Sequence, residues 1–279
     1  MLTGIGLMIA SVFAIALGSV FAKLLLADLS ATQVLWLRFV GFFVVVGPIA
    51  LALHGRNVLR PHSPGRQAVR GVIGLACEFS LLLPIDAIGV SQAIAAFYVF
   101  PAISYGLGIL RLGEPSSWGK WAAVGVGFVG VAIAIDPDIE NVEIGVVCAI
   151  AAAFLASVRV VMYREDGGVT PPLIAATWDR GVGAGLATLA VGFAWEPIEP
   201  EMAAAIAGLV LSSVDAQLLF IHAIRRSPIG VLAPFTFWEV AFAIGLDFYI
   251  LDAELTSNLA VGATIIVAAG LLLTAKRSR

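Results

Sequence analysis

The sequence predicts an all-α integral membrane protein whose ten transmembrane helices form two inverted five-helix repeats, residues 1–140 and 141–279. Three observations predict it. Of the 279 residues, 60% are hydrophobic and only 13% are charged, which is too apolar for a soluble chain of this length. The apolar residues fall into ten runs, each near the 20 or so residues a helix needs to cross a hydrocarbon core. Finally, Trp36-Leu37-Arg38-Phe39-Val40-Gly41 returns as Trp178-Asp179-Arg180-Gly181-Val182-Gly183, with Trp, Arg, Val and Gly at the same spacing. An arginine inside an apolar helix costs roughly 2.5–3.5 kcal/mol on translocon scales. Keeping one at matching points of both halves points to duplication around a shared cavity.

The first run, 4–26, has no basic residue before it and reaches Lys23 without an Ala-x-Ala cleavage site, so it is expected to stay as a helix. The others lie at 32–53, 71–88, 91–110, 118–135, 143–163, 171–195, 203–224, 228–250 and 257–274. The third and fourth are separated by almost nothing and make a tight hairpin. In the fourth, Tyr98, Pro101 and Tyr105 follow i, i+3, i+7 spacing, which places two hydroxyls and a proline-freed carbonyl on one face. The fifth contains Gly125-Val126-Gly127-Phe128-Val129-Gly130, a dinucleotide-binding string by letter. It lies inside an apolar span with no strand before it, and reads as glycines for helix packing. Cys77 and Cys148 fall within apolar runs and read as buried thiols.

Loop charges test this division. With a cytoplasmic N-terminus, the inner loops and C-terminus hold Arg56, Arg60, Arg66, Arg70, Arg111, Lys120, Arg164, Arg225, Arg226, Lys276, Arg277 and Arg279. The outer loops hold acids instead, among them Asp28, Asp136, Asp138, Glu140, Glu143, Glu196, Asp252 and Glu254, and no basic residue. Twelve against none places both termini in the cytoplasm and the chain in the inner or plasma membrane. The net charge of −3 comes with no basic patch or tail, so nucleic acid is not an expected partner.

The repeat extends beyond the arginine motif. Gly4-Ile5-Gly6 resembles Glu143-Ile144-Gly145, Glu78 falls opposite Asp215, and Ala87-Ile88 opposite Ala223-Ile224. Five spans per repeat is an odd number, so the second copy enters the membrane upside down. The early arginine in the second helix of each half, Pro101 in the fourth helix and the Leu112-Gly113-Glu114 ending together resemble the EamA-like family of the drug/metabolite transporter superfamily, over essentially the whole chain. The second half departs at Asp252-Ala253-Glu254, which lacks the family's usual glycine before the acid. The resemblance implies a secondary carrier for small metabolites, often an exporter of amino acids or related compounds.

Nine ionisable residues fall within the spans: Lys23, Arg38, Arg159 and Arg180, with Glu78, Asp179, Asp215, Glu239 and Asp247. At about 3 kcal/mol each they would oppose insertion by roughly 27 kcal/mol, so most must be paired, interfacial or facing water. Lys23 and Arg159 lie close enough to a span end to reach the interface, and Asp179-Arg180 can satisfy neighbours within the bundle. Glu78 and Asp215 are deeper and occupy matching positions, as candidates for proton exchange or for holding a substrate ammonium. Helical spacing assigns Ser212, Asp215 and His222 to one stripe. Trp238 and Glu239, an aromatic beside an acid after Pro234, form a candidate cation site. The expected substrate-binding or coupling residues are therefore Arg38, Glu78, Tyr98, Arg180, Asp215, Trp238 and Glu239.

There is no Walker A loop, His-Glu-x-x-His string or Gly-x-Ser-x-Gly string, and the three histidines are scattered, so neither ATP hydrolysis, a metal site nor a cofactor is expected. The expected partners are the bilayer, a small-molecule metabolite and protons. The reading is a non-enzymatic secondary transporter of a small polar or zwitterionic metabolite. An intramembrane lipid-modifying enzyme would need a catalytic His, Cys or Ser cluster, and a non-transporting scaffold would need more loop surface than this chain offers.

Overall fold

The computed structural model describes residues 2–82, 94–135, 144–191, 195–252 and 254–275. These form helices joined by short turns, with no strand among the described residues. In chain order they are α1 (Leu2–Leu25), α2 (Ala31–His54), α3 (Pro64–Leu82), α4 (Phe100–Leu112), α5 (Trp118–Ile135), α6 (Ile144–Glu165), α7 (Pro172–Val191), α8 (Ala203–Arg226), α9 (Ile229–Thr236), α10 (Trp238–Ile250) and α11 (Ser257–Ala275). Seven helical segments are long and apolar enough to cross a membrane: α1, α2, the segment ending in α4, α5, α6, α8, and α9 with α10 as one segment. The hairpin between the third and fourth expected spans lies outside the described residues, as do Asp136, Asp138, Glu140, Glu143, Lys276, Arg277 and Arg279.

Among the described residues, seven of the expected runs form helical segments long and apolar enough to span, and two differences from expectation are informative. Helix α3 begins at Pro64, so Arg66 and Arg70 belong to its first turns and not to a loop. Arg70 is fully buried, with its guanidinium on Asp166 at 2.8 Å. The ninth span is broken between α9 and α10, where Pro234 cannot donate to the carbonyl of Gly230 and the helix restarts at Trp238.

The closest helix pairings are α1 with α8, α5 with α11 and α2 with α7, and each joins the first half of the chain to the second. The recurring motif explains part of this. Each of its tryptophans is fastened by its indole N–H, Trp36 to the Thr188 hydroxyl at 2.9 Å and Trp178 to the Val58 carbonyl at 2.6 Å. Each of its glycines is a point of close approach. A Cβ on Gly41 would meet Val210 at 2.3 Å and one on Gly183 would meet Phe39 at 2.3 Å, so any side chain there would push two helices apart.

The Leu112-Gly113-Glu114 ending also has a structural use. Gly113 takes a left-handed conformation, φ 65°, that closes α4. Glu114 then accepts the backbone N–H groups of Ile229 at 2.8 Å and Gly230 at 3.1 Å, capping α9 from the other half. In the second half Asp252 takes the left-handed turn, φ 51°, a conformation Asp tolerates better than most residues. The missing glycine is therefore replaced one position earlier. Glu254 is exposed.

Candidate functional site

Two cavities stand out, and their linings separate them. The larger, about 660 Å³, lies between α2 and α7 and is lined by no ionisable side chain. The smaller, about 280 Å³, lies at the centre of the bundle and brings Arg38, Glu78, Arg159, Arg180 and Glu239 to one wall or another. A small-molecule site in a membrane bundle needs a few convergent polar groups in an otherwise apolar space. The central cavity has them.

One pole of this cavity is built on the motif arginines. Glu78 receives Arg180 Nη1 on Oε1 at 2.8 Å, while Arg38 Nη1 stands 3.7 Å from its Oε2. Arg38 also donates from Nε to the Ser213 hydroxyl at 3.1 Å. Arg180 reaches Gln217 Oε1 at 3.0 Å and lies over the Phe39 ring at 4.6 Å. Beside them Arg159 pairs with Asp179 at 2.5 Å, and Asp179 also takes the Tyr163 hydroxyl at 2.5 Å. Three guanidinium groups thus meet two carboxylates. Glu78 Oε2, Arg159 Nε and Arg180 Nε are buried without a hydrogen-bond partner among the described residues. An incoming carboxylate would balance the charge and use donors already aimed inward.

The other pole is acidic and aromatic. Glu239, near the start of α10, accepts the hydroxyl of Tyr98. Tyr98 in turn stacks on Phe237, ring centroids 6.0 Å apart. Phe97, Phe100 and Phe220 complete this wall. A carboxylate with no basic side chain within ion-pair distance among the described residues, facing aromatic rings, is a cation-binding arrangement.

Arg38 and Glu78 also line a cavity of about 190 Å³ that leads past Leu35 and Val34 to Leu26 and Ala31 at the α1–α2 turn. Beyond the Arg159–Asp179 pair, the Tyr163 ring lies under the Arg70 guanidinium at 3.9 Å, Asp166 binds Arg70 and Gln67, and Arg66 pairs with Glu165.

Arg38, Glu78, Tyr98, Arg180 and Glu239 are therefore brought together, and two expected residues are not. Asp215 is exposed on the outer face of α8. Ser213 and Gln217, four residues apart, share the cavity face, and Asp215 lies about 200° from Ser213 around the helix. Trp238 lies about 100° from Glu239 and faces away from the cavity, its indole nitrogen 2.6 Å from where a Cβ on Gly270 would sit. Tyr105 does not line the cavity either. Its hydroxyl accepts the Ser117 N–H at 2.9 Å and holds the α4–α5 turn. Arg159, expected at an interface, is instead an interior member of the arginine pole, and Lys23 pairs with Asp247 at 2.5 Å. Gln217 and Tyr163 carry no charge and gave no signal in the sequence.

Comparison with known proteins agrees with this architecture. A crystal structure of another protein superposes with a TM-score of 0.83 at 20% identity, over 100% of this chain and 98% of that one, which shows a shared fold. An S-adenosylmethionine uptake transporter of Rickettsia conorii is 22% identical over 270 residues, 95% of this chain and 90% of its own. One of Rickettsia felis is 26% identical over 140 residues, so the chain matches only 47% of that protein. The model of the EamA-like transporter family matches twice, at residues 2–135 and 143–275. With both halves matched, from α1 to α11, the chain belongs to the EamA-like transporter family.

Proposed function

We propose that the protein is a secondary transporter for a small zwitterionic metabolite, with the substrate carboxylate on Arg38 and Arg180 and a cationic centre against Glu239 and Tyr98. The observation that carries this reading is the split of one cavity into a pole with three guanidinium groups against two carboxylates and a pole with an acid that has no ion-pair partner among the described residues, set among aromatic rings. Amino acids present that charge pattern. So do amino-acid derivatives with a second cationic centre, such as S-adenosylmethionine with its sulfonium. The names of the relatives favour the latter, and uptake over the export implied by family resemblance. Glu239 is the carboxylate best placed to exchange a proton with a substrate cation, since Glu78 is engaged by arginines.

In this reading α3, α7 and α11 join the seven apolar segments named above to make ten spans. Residues 1–140 and 141–279 are repeats of opposite orientation, in keeping with the two matches to the family model. Basic residues confined to alternate loops support cytoplasmic termini in the inner or plasma membrane. A reporter fused after Arg279 is then cytoplasmic and one inserted beside Asp138 external; finding both on one side removes the ten-span arrangement.

The function is tested with purified protein in liposomes and labelled S-adenosylmethionine, methionine and lysine, with and without a pH gradient. Saturable uptake of S-adenosylmethionine, competed by zwitterions bearing a second positive centre, is the expected result. Glu239→Gln is expected to lower the preference for S-adenosylmethionine over methionine about tenfold, the scale of one charged contact, and to abolish any response to the pH gradient. No zwitterion entering faster than into protein-free liposomes would end the proposal.

A further inference from the structure

The apolar groove between α2 and α7 plays no part in that function, and its shape and surroundings suit an amphiphile. Its volume, about 660 Å³, falls within the roughly 300–1,000 Å³ range of small-molecule sites. Phe43, Gly47 and Leu51 of α2 form one side, Trp178 and Val182 of α7 the other. Gly47 leaves the floor open, since a Cβ there would meet nothing nearer than a Phe43 ring carbon at 3.7 Å. The end of the groove is shaped by the 3₁₀ turn Gly55–Val58, which folds back so that Val58 is buried and its carbonyl accepts the Trp178 indole N–H. Arg56 and Arg60 bracket this stretch, on either side of groove residues Val58 and Leu59 in the chain.

These two arginines differ from their neighbours. Arg66 pairs with Glu165 and Arg70 with Asp166. Arg56 and Arg60 are exposed, and neither side chain has an ion pair or hydrogen bond among the described residues. Two exposed guanidinium groups thus follow the apolar run of α2 and flank, in sequence, Val58 and Leu59 of the apolar slot. Guanidinium groups bind phosphate by paired N–H donors, and basic side chains flanking a span attract anionic lipid.

We propose that this groove binds one anionic phospholipid, with an acyl chain between α2 and α7 and the phosphate on Arg56 and Arg60. The bound chain wedges the two helices that carry Arg38 and Arg180, so the lipid sits behind the arginine pole without entering it.

Native mass spectrometry of the full-length protein in mild detergent, with phosphatidylglycerol or phosphatidylcholine added, tests the proposal. The wild type is expected to retain one phosphatidylglycerol about tenfold better than phosphatidylcholine. The double variant Arg56→Gln/Arg60→Gln is expected to lose that preference, and because both side chains are exposed, it tests the headgroup contact without touching the core. Gly47→Phe fills the slot and is expected to lose both lipids. Equal retention of the two lipids by the wild type, or an unchanged preference in the double glutamine variant, overturns the proposal. A dimer that Gly47→Phe dissociates also overturns it, because a second copy of the chain would then be the occupant.

Discussion

Replacing Asp179 with alanine is expected to lower the stability of the folded protein by about 3–5 kcal/mol, the cost of leaving one partner of a buried ion pair uncompensated. Asp179 is 1% exposed. Its Oδ2 receives Arg159 at 2.5 Å, the Tyr163 hydroxyl at 2.5 Å and Gln217 at 3.3 Å. Alanine removes all three contacts and leaves Arg159 without an ion-pair partner, while it shares the Gln217 Oε1 acceptor with Arg180. Thermal unfolding in detergent measures the loss. A variant that melts with the wild type would mean that water enters this cluster freely and screens its charges.

Arg38→Lys is expected to leave folding intact and to lower initial uptake about tenfold or more in proteoliposomes matched for inserted protein. Arg38 keeps 27% of its side chain exposed to the cavities, and its contact with Glu78 is 3.7 Å, too long for a hydrogen bond. It is the member of the pole with the most freedom to receive a substrate. Lysine preserves the charge but lacks the planar fork that grips a carboxylate at two points. Arg180 is different: it is 8% exposed, hydrogen-bonded to Glu78 and Gln217, and laid over Phe39, so its substitution disturbs packing as well as binding. An unchanged KM and rate for Arg38→Lys would remove Arg38 from the substrate site.

The helices were legible because their apolar runs are long, and the arginine pole because a repeated Trp-x-Arg-x-Val-Gly string is hard to reach by chance. The matching of Glu78 with Asp215 rests on position along the chain, not on helix face. Asp215 is exposed, whereas Ser213 and Gln217, each two residues away, line the cavity. Two residues turn a helix by about 200°, enough to exchange the cavity face for the outer one. A neutral glutamine on the cavity face offers no charge to notice. Trp238 and Glu239 look like one unit in the sequence because they are adjacent, although neighbouring residues on a helix point about 100° apart. Arg70 was hidden among loop arginines, since only the α6–α7 turn, distant in sequence, supplies Asp166.

The pairing of α1 with α8 sets a timetable for synthesis. The Ser11 hydroxyl donates to the Ala216 carbonyl at 2.8 Å, across a separation of 205 residues. At about 5–20 residues per second, a ribosome needs roughly 10–40 s to make the second partner after the first. Throughout that interval α1 lies in lipid without the helix that later covers it. Its composition suits the wait: Ser19 satisfies its hydroxyl on the Ile15 carbonyl within the same helix, and Lys23 is within reach of the membrane surface. Helix α1 is thus made long before it is enclosed.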